Sequence, residues 1–166
     1  MNNVEQLKIE CNDETFTRGT YNGINIIIRD KDGFINATDM CRQFNKRFAK
    51  INENHSYQQY LKAFKAIYYA LPKMGGQEIE PIYQLNKGIS AKYNELRGTY
   101  VDKRLINYIA IWASPEYAVY VGVIMDSIND KVHETLKDKQ LDDTVENAKP
   151  IFNNIVESIA PSIKTA

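Results

Sequence analysis

The chain has 166 residues, 43% of them hydrophobic, enough to bury one core and to exclude a disordered tail. Its 21 Lys+Arg cancel 21 Asp+Glu, so bulk charge excludes neither nucleic acid nor any other partner. The distribution is informative: seven cations face one anion from Met40 to Lys73, a local +6, whereas five face eight from Asp126 to the end, a local −3. A cationic working surface followed by an acidic tail is expected.

In chain order, Phe16 to Arg29 reads as a hairpin, because Asn22-Gly23 supplies the two positive-φ positions of a type I′ turn between FTRGTY and INIIIR. A second turn follows at Asp30-Lys31-Asp32-Gly33. Asn36 caps a short helix, with Asp39 in its first turn, Met40 and Phe44 on one face and an end near Asn45. Ser56-Tyr57-Gln58-Gln59 matches a capping box at the start of another helix. Helical spacing places Tyr57, Tyr60, Leu61, Phe64, Ile67, Tyr68 and Leu71 in one buried stripe, with Gln58, Lys62, Lys65 and Tyr69 on another flank and Gln59 slightly apart. Pro72 and Gly75-Gly76 stop this helix.

Glu78–Leu85 and Gly98–Val101 are β-like and flank a loop carrying Lys87, Lys92 and Arg97, which suits a second hairpin or wing. Asp102 caps a helix through Ala113, in which Leu105, Ile109 and Trp112 recur at helical spacing. Ser114-Pro115-Glu116 starts a long last helix, with Tyr117, Val121, Ile124 and Ile128 marking its buried side, that runs to about Lys139. Beyond it LDDTVENAKP loosens the pattern, and Pro150 and Pro161 bracket the short apolar segment IFNNIVESIA.

Duplex DNA binding needs cations at phosphates for affinity and polar side chains at base edges for specificity. Arg42, Lys46, Arg47 and Lys50, on the short helix and its exit, are the phosphate candidates. Gln58, Gln59, Lys62 and Lys65 are the candidates for base readout, since glutamine pairs with adenine and lysine reaches guanine. Lys87, Lys92 and Arg97 are candidates for wing contacts. The bland alternatives are a solvated helix face and a loop that is basic for solubility. The aromatics Tyr57, Tyr60, Phe64 and Tyr68 have core periodicity rather than that of a stacking platform, and Trp112 reads as packing.

No catalytic spacing is present. His55 and His133 are the only histidines, and no Ser/His/Asp, Cys/His, HExxH or phosphate-loop pattern occurs. Asp30 and Asp32 lack the remaining ligands of a calcium loop, and Gly33 explains them as a turn. Cys11 and Cys41 cannot build a disulfide framework or a four-cysteine zinc site, and Cys41 reads as a small buried residue. No enzyme activity, metal or cofactor is expected. The sequence shows no secretory signal and no apolar run of membrane-spanning length, so an intracellular, non-secreted protein is expected. Asn36-Ala37-Thr38 and Asn54-His55-Ser56 match the glycosylation pattern only formally.

Two blocks resemble the KilA-N domain of large DNA viruses and phages. The first is Asp32-Gly33-Phe34-Ile35-Asn36-Ala37-Thr38-Asp39-Met40-Cys41, continuing to Phe44 and Lys46-Arg47-Phe48. The second is Arg97-Gly98-Thr99-Tyr100-Val101 followed by Ile109-Ala110-Ile111-Trp112-Ala113-Ser114-Pro115-Glu116-Tyr117-Ala118. Two blocks in the right order are far more specific than one. The sequence departs from that family at Ile51, where many members carry tryptophan, and at Asp102-Lys103, which replaces a frequent His-Pro. The family is similar to the fungal APSES domain, which implies an α+β fold of β-hairpins, a helix-turn-helix-like unit, a β-wing and a long C-terminal helix. It implies a duplex DNA-binding domain over residues 15–137, followed by an acidic C-terminal tail or linker over 138–166. The alternative is a protein-interaction adaptor on the same fold, using the C-terminal helix and tail as its surface or as a homodimer contact. RNA or single-strand binding is third.

Overall fold

The computed structural model describes residues 8–11, 13–70, 80–86, 89, 91–159 and 164–165. It divides into two compact units, one of residues 1–113 with 163–166 and the other of residues 114–162. The architecture is α+β, with an antiparallel sheet in the first unit and a long helix in the second.

In the first unit β1 (Lys8–Cys11), outside the elements predicted, pairs with β2 (Glu14–Tyr21). The expected hairpin joins β2 to β3 (Ile24–Arg29), in register from Phe16↔Arg29 to Tyr21↔Ile24. Asn22 and Gly23 sit at φ 48° and 83°, which fits the tight turn. The next turn is tied by Gly33 N–H donating to the Arg29 carbonyl at 2.7 Å and by the buried Arg29 guanidinium, which pairs with Asp32 and lies 3.6 Å from the Tyr83 ring centre. The carboxylates of the Asp30–Gly33 turn thus have local partners, since Asp30 accepts from the Thr17 hydroxyl at 2.7 Å.

Next come β4 (Phe34–Asn36), α1 (Ala37–Arg42), α2 (Phe48–Asn52) and α3 (His55–Tyr68). Helix α1 ends at Arg42 rather than near Asn45, because Asn45 takes φ 57° and turns the chain. Helix α2 was not predicted: it is five residues long, and Arg47 at its start gives no side-chain cap. The cap of α3 is Asn54, two residues before the serine of the expected capping box. Its Oδ1 accepts from Tyr57 N–H at 3.1 Å, so the earlier side chain takes the backbone donor. The buried arc of α3 is narrower than expected. Tyr57, Leu61 and Phe64 are buried, but Ile67, on the stripe's margin, is 73% exposed, and Tyr60 and Tyr68 are about half exposed. Tyr60 stacks on Tyr108 at 4.1 Å, and Arg104 covers Tyr68 at 4.0 Å. Leu71, Pro72, Gly75, Gly76 and Glu78 lie outside the described residues.

Strand β5 (Ile82–Leu85) pairs with β6 (Gly98–Val101) from Ile82↔Val101 to Leu85↔Gly98, as the second hairpin anticipated. The sheet order is β1-β2-β3-β4-β6-β5, so β6 enters beside β4. Asp102 accepts from Arg104 N–H at 2.9 Å, capping a single 3-10 turn that leads into α4 (Ile106–Ala113). The family departures are both structural: Ile51 is fully buried, and Asp102 is a buried cap that also pairs with Arg104 and accepts from Tyr69 Oη at 2.6 Å.

In the second unit, α5 (Pro115–Asp138) starts at Ser114, whose Oγ accepts from Tyr117 N–H at 3.1 Å. The stretch expected to loosen into a tail instead forms α6 (Val145–Ile159), with Pro150 inside it. Ile151 packs on Ile128, Val132 and Leu136 of α5, joined by Ala148, Phe152 and Ile155 at the margins. These apolar residues recur three and four apart, so one face of α6 is buried once it folds back on α5. A short β7 (Lys164–Thr165), assigned to the first unit, pairs with β2 at Gly19 and Thr20.

Candidate nucleic-acid interface

The two sequence blocks meet in space. Asn36 is fully buried: its Oδ1 accepts from Asp39 N–H at 2.9 Å, capping α1, while its Nδ2 faces the carbonyls of Glu95, Leu96 and Arg97 at 3.4, 3.3 and 3.2 Å. A buried amide with both ends satisfied specifies one arrangement of its neighbours. Beside it, Thr38 Oγ1 accepts from Thr99 N–H at 2.9 Å. Gly98 takes φ +139°, and a Cβ there would stand 2.5 Å from Thr38 Cβ and 2.9 Å from Asn36 Oδ1. Only glycine allows so close an approach. Helix α1 is therefore locked to β6, which fixes α1 and α2 against the β5–β6 hairpin.

An open groove of about 550 Å³ lies between those elements. Arg42 comes from α1, and Lys46 and Arg47 from the turn before α2. Opposite them are Gln84 and Asn86 from the end of β5 and Thr99 from β6. The three cations are exposed. Arg42 lies 3.9 Å from Asp39, and Lys46 Nζ sits 5.9 Å from the Trp112 ring centre. Among the described residues Arg47 is in no ion pair. Burial pushes the Asp39 carboxyl above its ordinary pKa, partly opposed by Arg42. The groove thus combines positive charge with amide and hydroxyl groups.

The other predicted residues scatter around it. Lys50, also on α2, is outside the lining and lies 3.8 Å from Glu53. Gln58 donates to the Asn52 carbonyl at 2.6 Å, and Asn52 lines the groove. Gln59 and Lys62 are exposed on α3, whereas Lys65 pairs with Glu80 at 2.7 Å. Lys92 lies 5.4 Å from the Tyr93 ring centre. Arg97 turns inward: its two terminal nitrogens donate to the carbonyls of Asn86 at 3.3 Å and Ile89 at 2.7 Å, and its Nε is buried. Lys87 lies outside the described residues.

Sequence reasoning missed Asn52, Gln84, Asn86 and Thr99. Each is a lone polar residue in a local pattern; Asn52 reaches the groove on α2, whereas strand pairing at long separation brings Gln84, Asn86 and Thr99 to the cations. Among the described residues no group of three His, Cys, Asp or Glu is placed to hold a metal ion. Cys11 and Cys41 are buried free thiols, and burial pushes Cys41 up to about 12. No single described helix is long and apolar enough to cross a membrane. His133 Nδ1 lies 3.3 Å from Asp143, and His55 is exposed at the first turn of α3.

The groove and its lock lie within the segment matched by the KilA-N domain model, residues 19–131, and the chain belongs to that family. KilA-N is a family commonly DNA-binding rather than an enzyme family. The chain resembles several KilA-N domain-containing proteins of Acanthamoeba polyphaga mimivirus. One is 28% identical over 163 residues, covering 94% of this chain and 42% of that protein. A second is 32% identical over 140 residues, covering 84% and 29%, and a third 42% identical over 79 residues, covering 48% and 24%. The chain thus spans less than half the length of these relatives. No solved structure matches it.

Proposed function

We propose that the first unit binds duplex DNA, with the groove between α1–α2 and the β5–β6 hairpin seated on the phosphate backbone. The observation that carries this reading is the convergence of Arg42, Lys46 and Arg47 on one open, polar-lined groove. Three exposed cations on one surface release counterions when they meet phosphates, which supplies affinity without sequence preference. Helices α2 and α3 are joined by Glu53 and Asn54 alone, which suits a helix-turn-helix, and the β5–β6 hairpin suits a wing. Gln59 and Lys62 are the exposed α3 side chains left to reach base edges, because Gln58 and Lys65 already have protein partners. Lys50 and Lys92 add charge at the margins. Arg97 serves the hairpin loop from inside rather than touching DNA.

The test is titration of labelled random duplex DNA, duplex RNA and single strands at several salt concentrations. Duplex DNA should bind tightest, with log affinity falling linearly against log salt. Changing Arg42, Lys46 and Arg47 together to alanine should flatten that slope by about 2.7, at about 0.9 per phosphate lost, and weaken binding about 100-fold at low salt. Absence of duplex binding at low salt, or an unchanged slope in the triple variant, would overturn the assignment.

A further inference from the structure

We infer that the face of α5 turned away from α6 is a docking surface for a basic amphipathic segment of a partner protein. Helix α6 takes the face of α5 that carries Ile128, Val132 and Leu136. On the opposite face, stepping about 100° per residue, lie Val119, Tyr120 and Val123, which are 69%, 55% and 56% exposed. These three sit within two turns and have no role in closing the hairpin. Two β-branched residues beside an exposed tyrosine form a small apolar anchor with a polar handle, the tyrosine being of a type enriched among residues that carry binding energy at interfaces.

Charge around the anchor selects the occupant. Glu116 precedes it by one turn on the same face, and Asp126, Asp130 and Glu134 follow at successive turns, all exposed. Among the described residues none of these four carboxylates is in an ion pair, and one exposed cation, Lys131, reaches the anchor, lining a shallow pocket with Val123, so the charge around it stays net negative. A second copy laid on it in parallel sets carboxylate against carboxylate around the apolar contact, which electrostatics disfavours. Nucleic acid is repelled for the same reason. A free polycation would meet the carboxylates but leave the valines and tyrosine uncovered. The complementary occupant is a helix of about three turns whose apolar residues recur three or four apart and are flanked by Lys or Arg.

The probe is a fluorescent synthetic peptide of about 14 residues, roughly three to four helical turns, with leucines along one face flanked by lysines. Two controls replace every lysine by glutamate or every leucine by serine. The full chain should bind the first peptide at least tenfold more tightly than either control. Val123→Ser and the pair Asp126→Lys and Asp130→Lys should each cost at least tenfold, with circular dichroism unchanged because all three positions are exposed. The Arg42, Lys46 and Arg47 alanine variant should bind the peptide like the parent chain, which keeps this test separate from that of DNA binding. No binding of the leucine–lysine peptide overturns the inference. So does equal binding by Val123→Ser, or self-association in sedimentation that Val123→Ser abolishes, since the face is then covered by a second copy.

Discussion

The two units carry opposite charge and are built in opposite ways. Residues 1–113 with 163–166 hold 17 Lys+Arg against 12 Asp+Glu, a net of +5, while residues 114–162 hold four against nine, a net of −5. The positive unit is assembled from distant pieces: β4 pairs with β6, and Asn36 bonds to carbonyls 59 to 61 residues away. The negative unit is a hairpin of two helices consecutive in the chain, whose apolar cluster lies within residues 124–155. A neutral chain thus separates a precise cationic groove, dependent on non-local bonds, from an acidic surface that needs only helix periodicity. Damage to one unit should leave the function of the other standing.

The largest break is Gly98→Ala. A Cβ at 2.5 Å from Thr38 Cβ, on a backbone at φ +139°, should cost about 4 kcal/mol by combined overpacking and strain. Denaturant unfolding should report it, and duplex DNA binding should fall with the groove. Next, Ile151→Ala opens a cavity in the α5–α6 hairpin and should cost that unit about 2–3 kcal/mol. Hydrogen exchange should show the loss in α5 and α6, with DNA affinity within twofold of the parent; a larger fall would mean that the units are not separable.

Asp102→Asn sharpens the comparison through pH. Burial disfavours the charged carboxylate, but hydrogen bonds from Arg104 and Tyr69 outweigh it and hold Asp102 below the ordinary carboxylate pKa. Its stabilisation is therefore complete above the unfolded value near 4 and is lost as pH falls through the folded value. The variant keeps an oxygen to cap the turn but loses the charged hydrogen bonds with Arg104, so it should be about 2 kcal/mol less stable at pH 7 and should converge with the parent in acid. A constant difference across pH would remove the carboxylate from the account. The smallest effect is expected of Arg97→Lys. Loss of the two loop hydrogen bonds should weaken duplex binding about threefold to tenfold, at about 1 kcal/mol, while the salt slope stays the same. A slope reduced by about 0.9 would make Arg97 a phosphate contact instead.

What was legible in the sequence follows the same division. Local bonds could be read directly: the Asn22-Gly23 turn and the caps at Asn36, Asp102 and Ser114 each depend on side chains within three residues of the backbone they satisfy. Asn54 was overshadowed by Ser56, because both suit a cap and only the folded chain decides between them. Helix α2 has no cap side chain and too few residues for a period. Helix α6 is obscured by Pro150, the sixth residue of the helix, an interior position where proline removes a helical hydrogen bond and so reads as a break. For the groove, the cation cluster Arg42, Lys46 and Arg47 was legible from charge and resemblance. Its opposite wall was not, since Gln84, Asn86 and Thr99 acquire meaning only when β5 and β6 pair and Gly98 closes on Thr38. The inward turn of Arg97 was equally hidden, because an arginine before a glycine carries no mark of which carbonyls it will find.

The seating of Asn36 against the chain near Leu96 also sets an order of events during synthesis. Asn36 and Thr38 leave the ribosome about sixty residues ahead of Arg97 and Gly98, so at about 5–20 residues per second the amide waits roughly 3–12 s for its carbonyl partners. Until then α1 has its cap but no wall to stand against. A nascent or truncated chain ending before Gly98 presents the same arginines and lysines without the groove, and so carries the charge of the site without its shape.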